Sequence, residues 1–255
     1  MSQDAVQKRE YFPRGLVQPK AGYLFSLDAL LLACFADLRP GSRGMDLGTG
    51  CGVVALATLL RSGQPLPRII GLDRDPAMVD VARANSRLLG FEDVFDVESG
   101  DVSSYKPAGN AFDFMLCNPP YRFEGAGRVS PAPGRASARF ESESGLEAFV
   151  RVARQGLKDK GRFCLVHLPE RLPDILECLR GHGLEPKRLR FVHGHAQAPA
   201  RIVLLEARKN SGQSLAVEPP LLLYAGKAPD APLLPSALAF CPYLGCNARM
   251  PEEKG

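Results

Sequence analysis

The chain has 255 residues, 45% of them apolar and 24% charged, and a net charge of +4. These values suit one globular domain, or one domain with an appendage, and no apolar run approaches the ~20 residues needed to span a membrane. The mild positive charge is compatible with a nucleic-acid partner, and equally with an enzyme whose surface is slightly basic.

The polar amino terminus reads as that of a cytoplasmic protein without a signal peptide. Seven cysteines, an odd number, lie mostly in apolar segments, which points to reduced thiols rather than a disulfide framework. Cys241 and Cys246 make one close pair, where a structural zinc commonly uses two, so no metal is expected.

Residues 1–20 carry Pro13 and Pro19 and read as a loose arm with at most one short strand. Ser26 suits the N-cap, and Asp28 the first turn, of a helix from 27 to about 37 that is apolar almost all round and therefore buried. A strand at 44–47 runs into Gly48-Thr49-Gly50-Cys51-Gly52 and a helix from 53 to about 60. A second strand, 68–72, ends in Asp73. Asp75-Pro76 then caps a helix with Met78, Val81, Ala82, Leu88 and Leu89 on one face, ended by Gly90. The third strand, 94–98, precedes Gly100-Asp101. The fourth, 112–117, runs into Asn118-Pro119-Pro120-Tyr121.

Residues 122–140, rich in Gly, Pro, Ser and Arg, read as a long loop. Ser144 and Glu147 form a capping box for a helix carrying Leu146, Phe149, Val150, Ala153 and Leu157. A fifth strand (161–167) and a helix around 172–179 follow. Two last strands, 188–192 and 202–207, have no helical pattern between them and are expected to pair antiparallel. The chain from 225 onward has spaced prolines and no periodic segment, which reads as a tail. The β-α alternation predicts a mostly parallel sheet with helices on both faces.

Glycines at a strand-to-helix turn let a ligand approach the backbone. Dinucleotide-binding folds use a related turn, and a tight turn without a ligand is the plain alternative. The spacing here is Gly-Thr-Gly-Cys-Gly rather than Gly-x-Gly-x-x-Gly, and Asp46 just before it would repel a pyrophosphate while suiting a cation. S-adenosylmethionine fits that charge logic, having a sulfonium and an ammonium and no phosphate. Asp73 can accept both ribose hydroxyls, and Asp101 is placed to meet the adenine amine. The candidate cofactor residues are Asp46, Gly48, Thr49, Gly50, Gly52, Asp73, Arg74, Asp101, Val102 and Asn118.

The Asn118 side-chain carbonyl and the Pro119 main-chain carbonyl can accept the two protons of an NH₂ group. That draws the nitrogen lone pair out of conjugation and aims it at the sulfonium methyl. Two prolines stiffen the stretch, and Tyr121 can stack on a planar substrate, worth about 1–3 kcal/mol for a base. Asn118, Pro119, Pro120 and Tyr121 are the candidate catalytic residues, acting mainly by positioning. A rigid turn without chemistry is the alternative.

Together, residues 46–52, Asp73, Asp101 and 118–121 resemble the class I S-adenosylmethionine-dependent amino-methyltransferases. Gln18-Pro19-Lys20, residues 22–32, Asn-Pro-Pro-Tyr-Arg at 118–122 and the Arg/Ser/Pro loop at 122–139 are similar to one group within them. That group comprises the tRNA adenine methyltransferases that modify the adenine next to the anticodon of a valine tRNA. The resemblance implies a Rossmann-like α/β fold with a seven-stranded, mostly parallel sheet and an antiparallel last strand. It implies one methyltransferase domain over residues 1–225, with 1–40 covering the cofactor and 41–210 as core; the Pro-rich tail at 226–255 departs from the group's pattern, and the resemblance says nothing about it. It adds Phe25 and Ser26 as cofactor contacts. It implies methyl transfer to an adenine amine in RNA, most simply tRNA near the anticodon, with no membrane and no obligate protein partner.

Lys20, Arg122, Arg128, Arg135 and Arg139 are candidate RNA contacts, and Lys187, Arg188, Arg190 and Arg201 form a second basic cluster; phosphate contacts of this kind make affinity salt-dependent. The target adenine has to leave its stack to reach Asn118. His193 and His195 read as part of a surface connection without chemistry. Competing functions are transfer to another NH₂, in rRNA or on a protein glutamine, and a non-catalytic cofactor- or RNA-binding module. The helical amino-terminal domain usual in glutamine methyltransferases does not fit into the 45 residues before Asp46.

Overall fold

Four parallel strands organise the molecule. In the computed structural model, which describes residues 3–18, 26–119 and 143–247, β1 (Arg43–Leu47), β2 (Arg68–Asp73), β3 (Phe95–Ser99) and β4 (Phe112–Cys117) lie parallel in the order 3-2-1-4. β5 (Leu157–His167) continues the sheet in parallel beside β4. β7 (Ala200–Lys209) then inserts antiparallel between β5 and β6 (Leu184–His193). The expected antiparallel pair is present, and β7 is the strand that reverses. Two-residue strands β8 (Ala216–Val217) and β9 (Leu221–Leu222) add to the free side of β6.

Side chains alternate across the sheet, as a period of two requires. Phe114 and Leu116 of β4 face one core with α2 (Leu27–Phe35), α3 (Val53–Arg61) and α4 (Pro76–Leu88), while Met115 and Cys117 face the other with α5 (Glu143–Gly156) and α6 (Leu172–Gly181). Helices therefore cover both faces, which is why the central strands read as unbroken apolar runs. In α2 every residue from Ala29 to Phe35 is buried, as its all-round apolar sequence demands. The Asp75 carboxylate accepts a hydrogen bond from the Ala77 amide at 2.9 Å, so the expected cap of α4 forms. The α5 helix opens at Glu143, which puts Ser144 inside its first turn rather than at the cap.

Two expectations are corrected. The loose arm is instead α1 (Gln3–Glu10) followed by turns that bury Phe12 and Leu16. Its anchor is Arg9, whose Nε and Nη2 donate to the Leu89 and Gly90 carbonyls at 2.8 and 3.1 Å. These are carbonyls at the end of α4, where a cation is favoured. The Pro-rich stretch after residue 225 is likewise no bare tail. It forms α7 (Pro235–Phe240) and α8 (Leu244–Asn247), and it buries Ala237, Cys241 and Leu244 in the α2/α3 core. The Tyr243 hydroxyl donates to the Ala57 carbonyl at 3.2 Å, and its ring meets Phe12 edge-on at 5.0 Å. Neither segment is long enough to show a helical period; contacts with distant residues hold both.

Packing between β1 and β4 leaves no room at Gly44, where an added Cβ would sit 2.1–2.5 Å from Phe114 ring atoms. Gly44→Ala is expected to destabilise the fold by about 3 kcal/mol, the upper end of typical overpacking. The checks are urea denaturation and a double variant with Phe114→Leu, which should recover part of the loss.

Candidate functional site

The strand order reverses between β1 and β4, and in such sheets the crevice outside the carboxyl ends at that point is where ligands bind. Register places the relevant residues there. Leu47 pairs with both Leu72 and Cys117, and Asp73 pairs with Ser99. The residues that follow, Gly48, Asp73 to Arg74, Gly100 to Val102 and Asn118 to Pro119, therefore emerge on one edge.

The glycine turn is built on left-handed backbone. Gly48, Gly50 and Gly52 have φ of 72°, 55° and 84°, a region costly for residues with a Cβ. The Gly48 and Thr49 amides donate to the Leu72 carbonyl at 2.8 and 2.9 Å, tying the turn to β2. A Cβ on Gly52 would come within 2.9 Å of the Phe95 ring, so this glycine serves packing. A Cβ on Gly50 would meet nothing within 4 Å, so this side of the turn is open to a ligand.

Asp73 is half-buried, and its two oxygens accept from the Gly50 amide at 2.8 Å and the Asp75 amide at 3.0 Å. The carboxylate is thereby fixed beside the turn, and each oxygen keeps lone-pair capacity for a further donor. Asp46 is buried and accepts from Thr49 Oγ1 at 2.7 Å. Burial pushes its pKa up to about 7, and the charge of Asp73 adds to the rise. Asp101 is exposed and accepts from the Ser103 amide at 2.8 Å. Hydrogen bonds from Ser103 hold its carboxyl below the ordinary range, helped by the positive charge of Arg74. Arg151 pins the same loop from α5, donating to the carbonyls of Val102 and Ser103 at 2.9 and 2.8 Å. Its sequence position gave no hint of this, since it lies on an ordinary amphipathic helix.

The raised pKa of Asp46 makes a pH test available. A carboxyl raised in the folded state contributes stability that is full below the unfolded pKa of about 3.9 and is lost as pH rises to about 7. The Asp46 contribution therefore runs opposite to that of most carboxylates. Asp46→Asn is expected to remove this loss, seen as a smaller decline in ligand-free stability between pH 5 and 8 by urea denaturation. A cationic ligand at this edge should bind more tightly as pH rises through 7, and this gain should vanish in the variant.

At the mouth of β4, Asn118 Oδ1 is buried with no hydrogen-bond partner among the described residues, and Pro119 beside it is buried. Ser26 holds the expected N-cap position of α2 with extended backbone, but its hydroxyl makes no cap bond. Ser26 Oγ is likewise buried and unpartnered among the described residues. Buried polar groups are nearly always satisfied, so these atoms mark where a ligand's polar groups would go. Phe25, Lys20, Pro120, Tyr121, Arg122, Arg128, Arg135 and Arg139 lie outside the described residues.

The second basic cluster is dispersed. Arg188 and Arg190 of β6 pair with Glu218, and Arg188 also faces Glu206. Lys187 donates to the Gly212 carbonyl at 3.0 Å. Arg201, at the start of β7, is exposed on the carboxyl edge. His193 Nδ1 lies 2.8 Å from the Ala198 carbonyl in the β6–β7 connection. A cleft of about 300 Å³, lined by Cys34, Arg61, Arg190 and Phe240, opens near the carboxyl ends of α2 and α3, at the other edge of the sheet from Asn118.

The family model described as "Methyltransferase small domain" matches residues 27–173. The tRNA1(Val) (adenine(37)-N6)-methyltransferase of Shewanella amazonensis is 31% identical over 185 residues, 72% of this chain and 77% of the relative. The enzyme of the same name from Porphyromonas gingivalis is 31% identical over 189 residues, 71% of this chain and 72% of the relative. A solved structure from Agrobacterium tumefaciens, described as a predicted O-methyltransferase, superposes with a TM-score of 0.67 at 21% identity. That match covers 85% of this chain and 96% of the other, and at that identity it speaks to the fold alone.

Proposed function

We propose, from the premise that the chain belongs to the methyltransferase small domain family, that it methylates RNA, on the exocyclic amine of an adenine in tRNA near the anticodon. The chain is a methyltransferase and its methyl donor is S-adenosylmethionine. The adenine target and the tRNA follow the names of the two relatives and the chemistry of the carboxyl edge.

The observation that carries the reading is Asn118 Oδ1, a buried acceptor without a partner among the described residues, at the switch point beside the glycine turn. Bound S-adenosylmethionine supplies an electrophilic methyl group on a sulfonium, so that attack by nitrogen breaks the carbon–sulfur bond and leaves a neutral thioether. The protein's residues do the rest. Asn118 Oδ1 and the Pro119 carbonyl accept the two amine protons and hold the nitrogen lone pair on the line of attack, and Pro120 and Tyr121 stiffen and stack. The methylated nitrogen then sheds a proton to solvent, so no strong base is required. Asp73 takes the ribose hydroxyls, Asp101 and Val102 the adenine edge, and Asp46 with the open face of Gly50 the amino-acid end. Arg74 flanks the acids, and Phe25 and Ser26 cover the cofactor from the amino-terminal side.

Lys20, Arg122, Arg128, Arg135 and Arg139 are proposed to hold RNA phosphates, and Arg201, exposed on the carboxyl edge, is proposed to join them. One domain carries the activity, and it includes α7 and α8. No described helix is long and apolar enough to cross a membrane; with RNA as the proposed substrate, the proposed location is the cytoplasm.

The test is transfer from labelled S-adenosylmethionine to total tRNA, rRNA, DNA and protein extract, followed by nucleoside mapping. Label is expected as N6-methyladenosine in tRNA. Label confined to rRNA or to protein glutamine overturns the tRNA assignment. Cofactor binding without any transfer would identify a binding module.

A further inference from the structure

Asn85 sits in the last turn of α4 and is fully buried. All of its side-chain amide is spent on main chain elsewhere. Oδ1 accepts from the Val17 amide at 2.7 Å, while Nδ2 donates to the Val17 carbonyl at 3.0 Å and the Cys51 carbonyl at 2.9 Å. Cys51 belongs to the glycine turn, and Val17 to the stretch that follows α1. One side chain thus joins the amino-terminal segment to the cofactor cradle.

Asparagine is suited to this because it offers an acceptor and two donors from one planar group. Aspartate would turn one acceptor oxygen toward two carbonyls, and leucine would leave buried main-chain groups unsatisfied. Apolar burial does not hold this stretch at Val17, which is 45% exposed. The next residue, Gln18, carries a buried Oε1 with no hydrogen-bond partner among the described residues. A buried amide oxygen kept free beside a clipped backbone is an acceptor held for a ligand's N–H.

We propose that Asn85 is a positioning residue that clips Val17 to the glycine turn, so that Gln18 presents Oε1 to an N–H donor of the bound S-adenosylmethionine. This rests on the methyl-donor reading above. The clip links the amino-terminal segment to the cradle: a ligand that settles on the turn meets Gln18 at a set position, and loosening the clip releases both.

The experiment measures S-adenosylmethionine affinity by calorimetry, with melting temperature alongside, for the full chain, Gln18→Ala, Asn85→Asp and the double variant. Gln18→Ala is expected to weaken binding about tenfold, as for loss of one hydrogen bond, at unchanged melting temperature. Asn85→Asp should weaken binding at least as much, and adding Gln18→Ala to it should cost almost nothing more, since the two act as a unit. Unchanged affinity in Asn85→Asp with a lowered melting temperature, or additive losses in the double variant, overturns the clip. Should Asn85→Asp not fold, Gln18→Ala decides alone, and an unchanged affinity overturns the proposal. Absence of binding by the unaltered chain is a different failure, which removes the methyl-donor reading itself.

Discussion

Replacing Asn118 with alanine is expected to slow single-turnover methyl transfer about 10²–10³-fold while leaving S-adenosylmethionine affinity within about threefold. The size follows from removing one preorganised polar group at the reacting centre of a secluded site. The selectivity follows from position. Asn118 follows β4, and its oxygen is buried without a partner among the described residues, whereas the turn and acids that would hold the cofactor follow β1, β2 and β3. In the proposed roles the amine would therefore lose its aim while the methyl donor would keep most of its contacts. Asn118→Asp, which keeps an acceptor, should retain more transfer than Asn118→Ala. Rapid-quench transfer and calorimetry on the same preparations decide the matter: a large loss of cofactor affinity with an unchanged transfer rate would place Asn118 in cofactor binding alone.

The second large effect is expected at Asp73. Asp73→Ala should weaken S-adenosylmethionine binding about 10²–10³-fold. Hydrogen bonds to a charged group contribute about 1.5–3 kcal/mol each, and in the role proposed for Asp73 two ribose hydroxyls would lose their acceptor. The Gly50 and Asp75 amides lose theirs as well, so the open face of the turn slackens. Asp73→Asn should fall between the two, because its remaining oxygen can still accept from the Gly50 amide. Calorimetry reads the affinity and thermal melting reads the fold. A lowered melting temperature with unaltered affinity would confine Asp73 to shaping the turn.

These two residues differ in how visible they are. Asp73 is legible because its signals are local: it ends an apolar strand and precedes Asp75-Pro76, whose cap forms as expected. The glycines are legible for the same reason, since their left-handed backbone is a property of a few consecutive residues. Asn118 can be read from its neighbours, but its unpartnered oxygen cannot, because satisfaction depends on what packs around it. Ser26 shows the reverse: the sequence offers an N-cap, and the fold leaves its hydroxyl unused.

The rest was hidden where long-range contacts outweigh local preference. Asn85 is a polar residue inside a helix, which ordinarily marks a solvated face; only Val17 and Cys51 make it a buried clip. Arg188 and Arg190 look like a phosphate surface until β8 and the chain after it bring Glu218 beside them. The chain's own sequence determined the α/β class, the turn that follows β1 and the acids at the ends of the next strands, because periodicity, glycine and capping act within a few residues. Only the tertiary structure decided that β7 lies between β5 and β6, that α1 is held by Arg9 at the end of α4, and that α7 and α8 close the α2/α3 core. Those outcomes depend on burial and hydrogen bonding between segments more than two hundred residues apart in the case of Phe12 and Tyr243, whose balance no local pattern records.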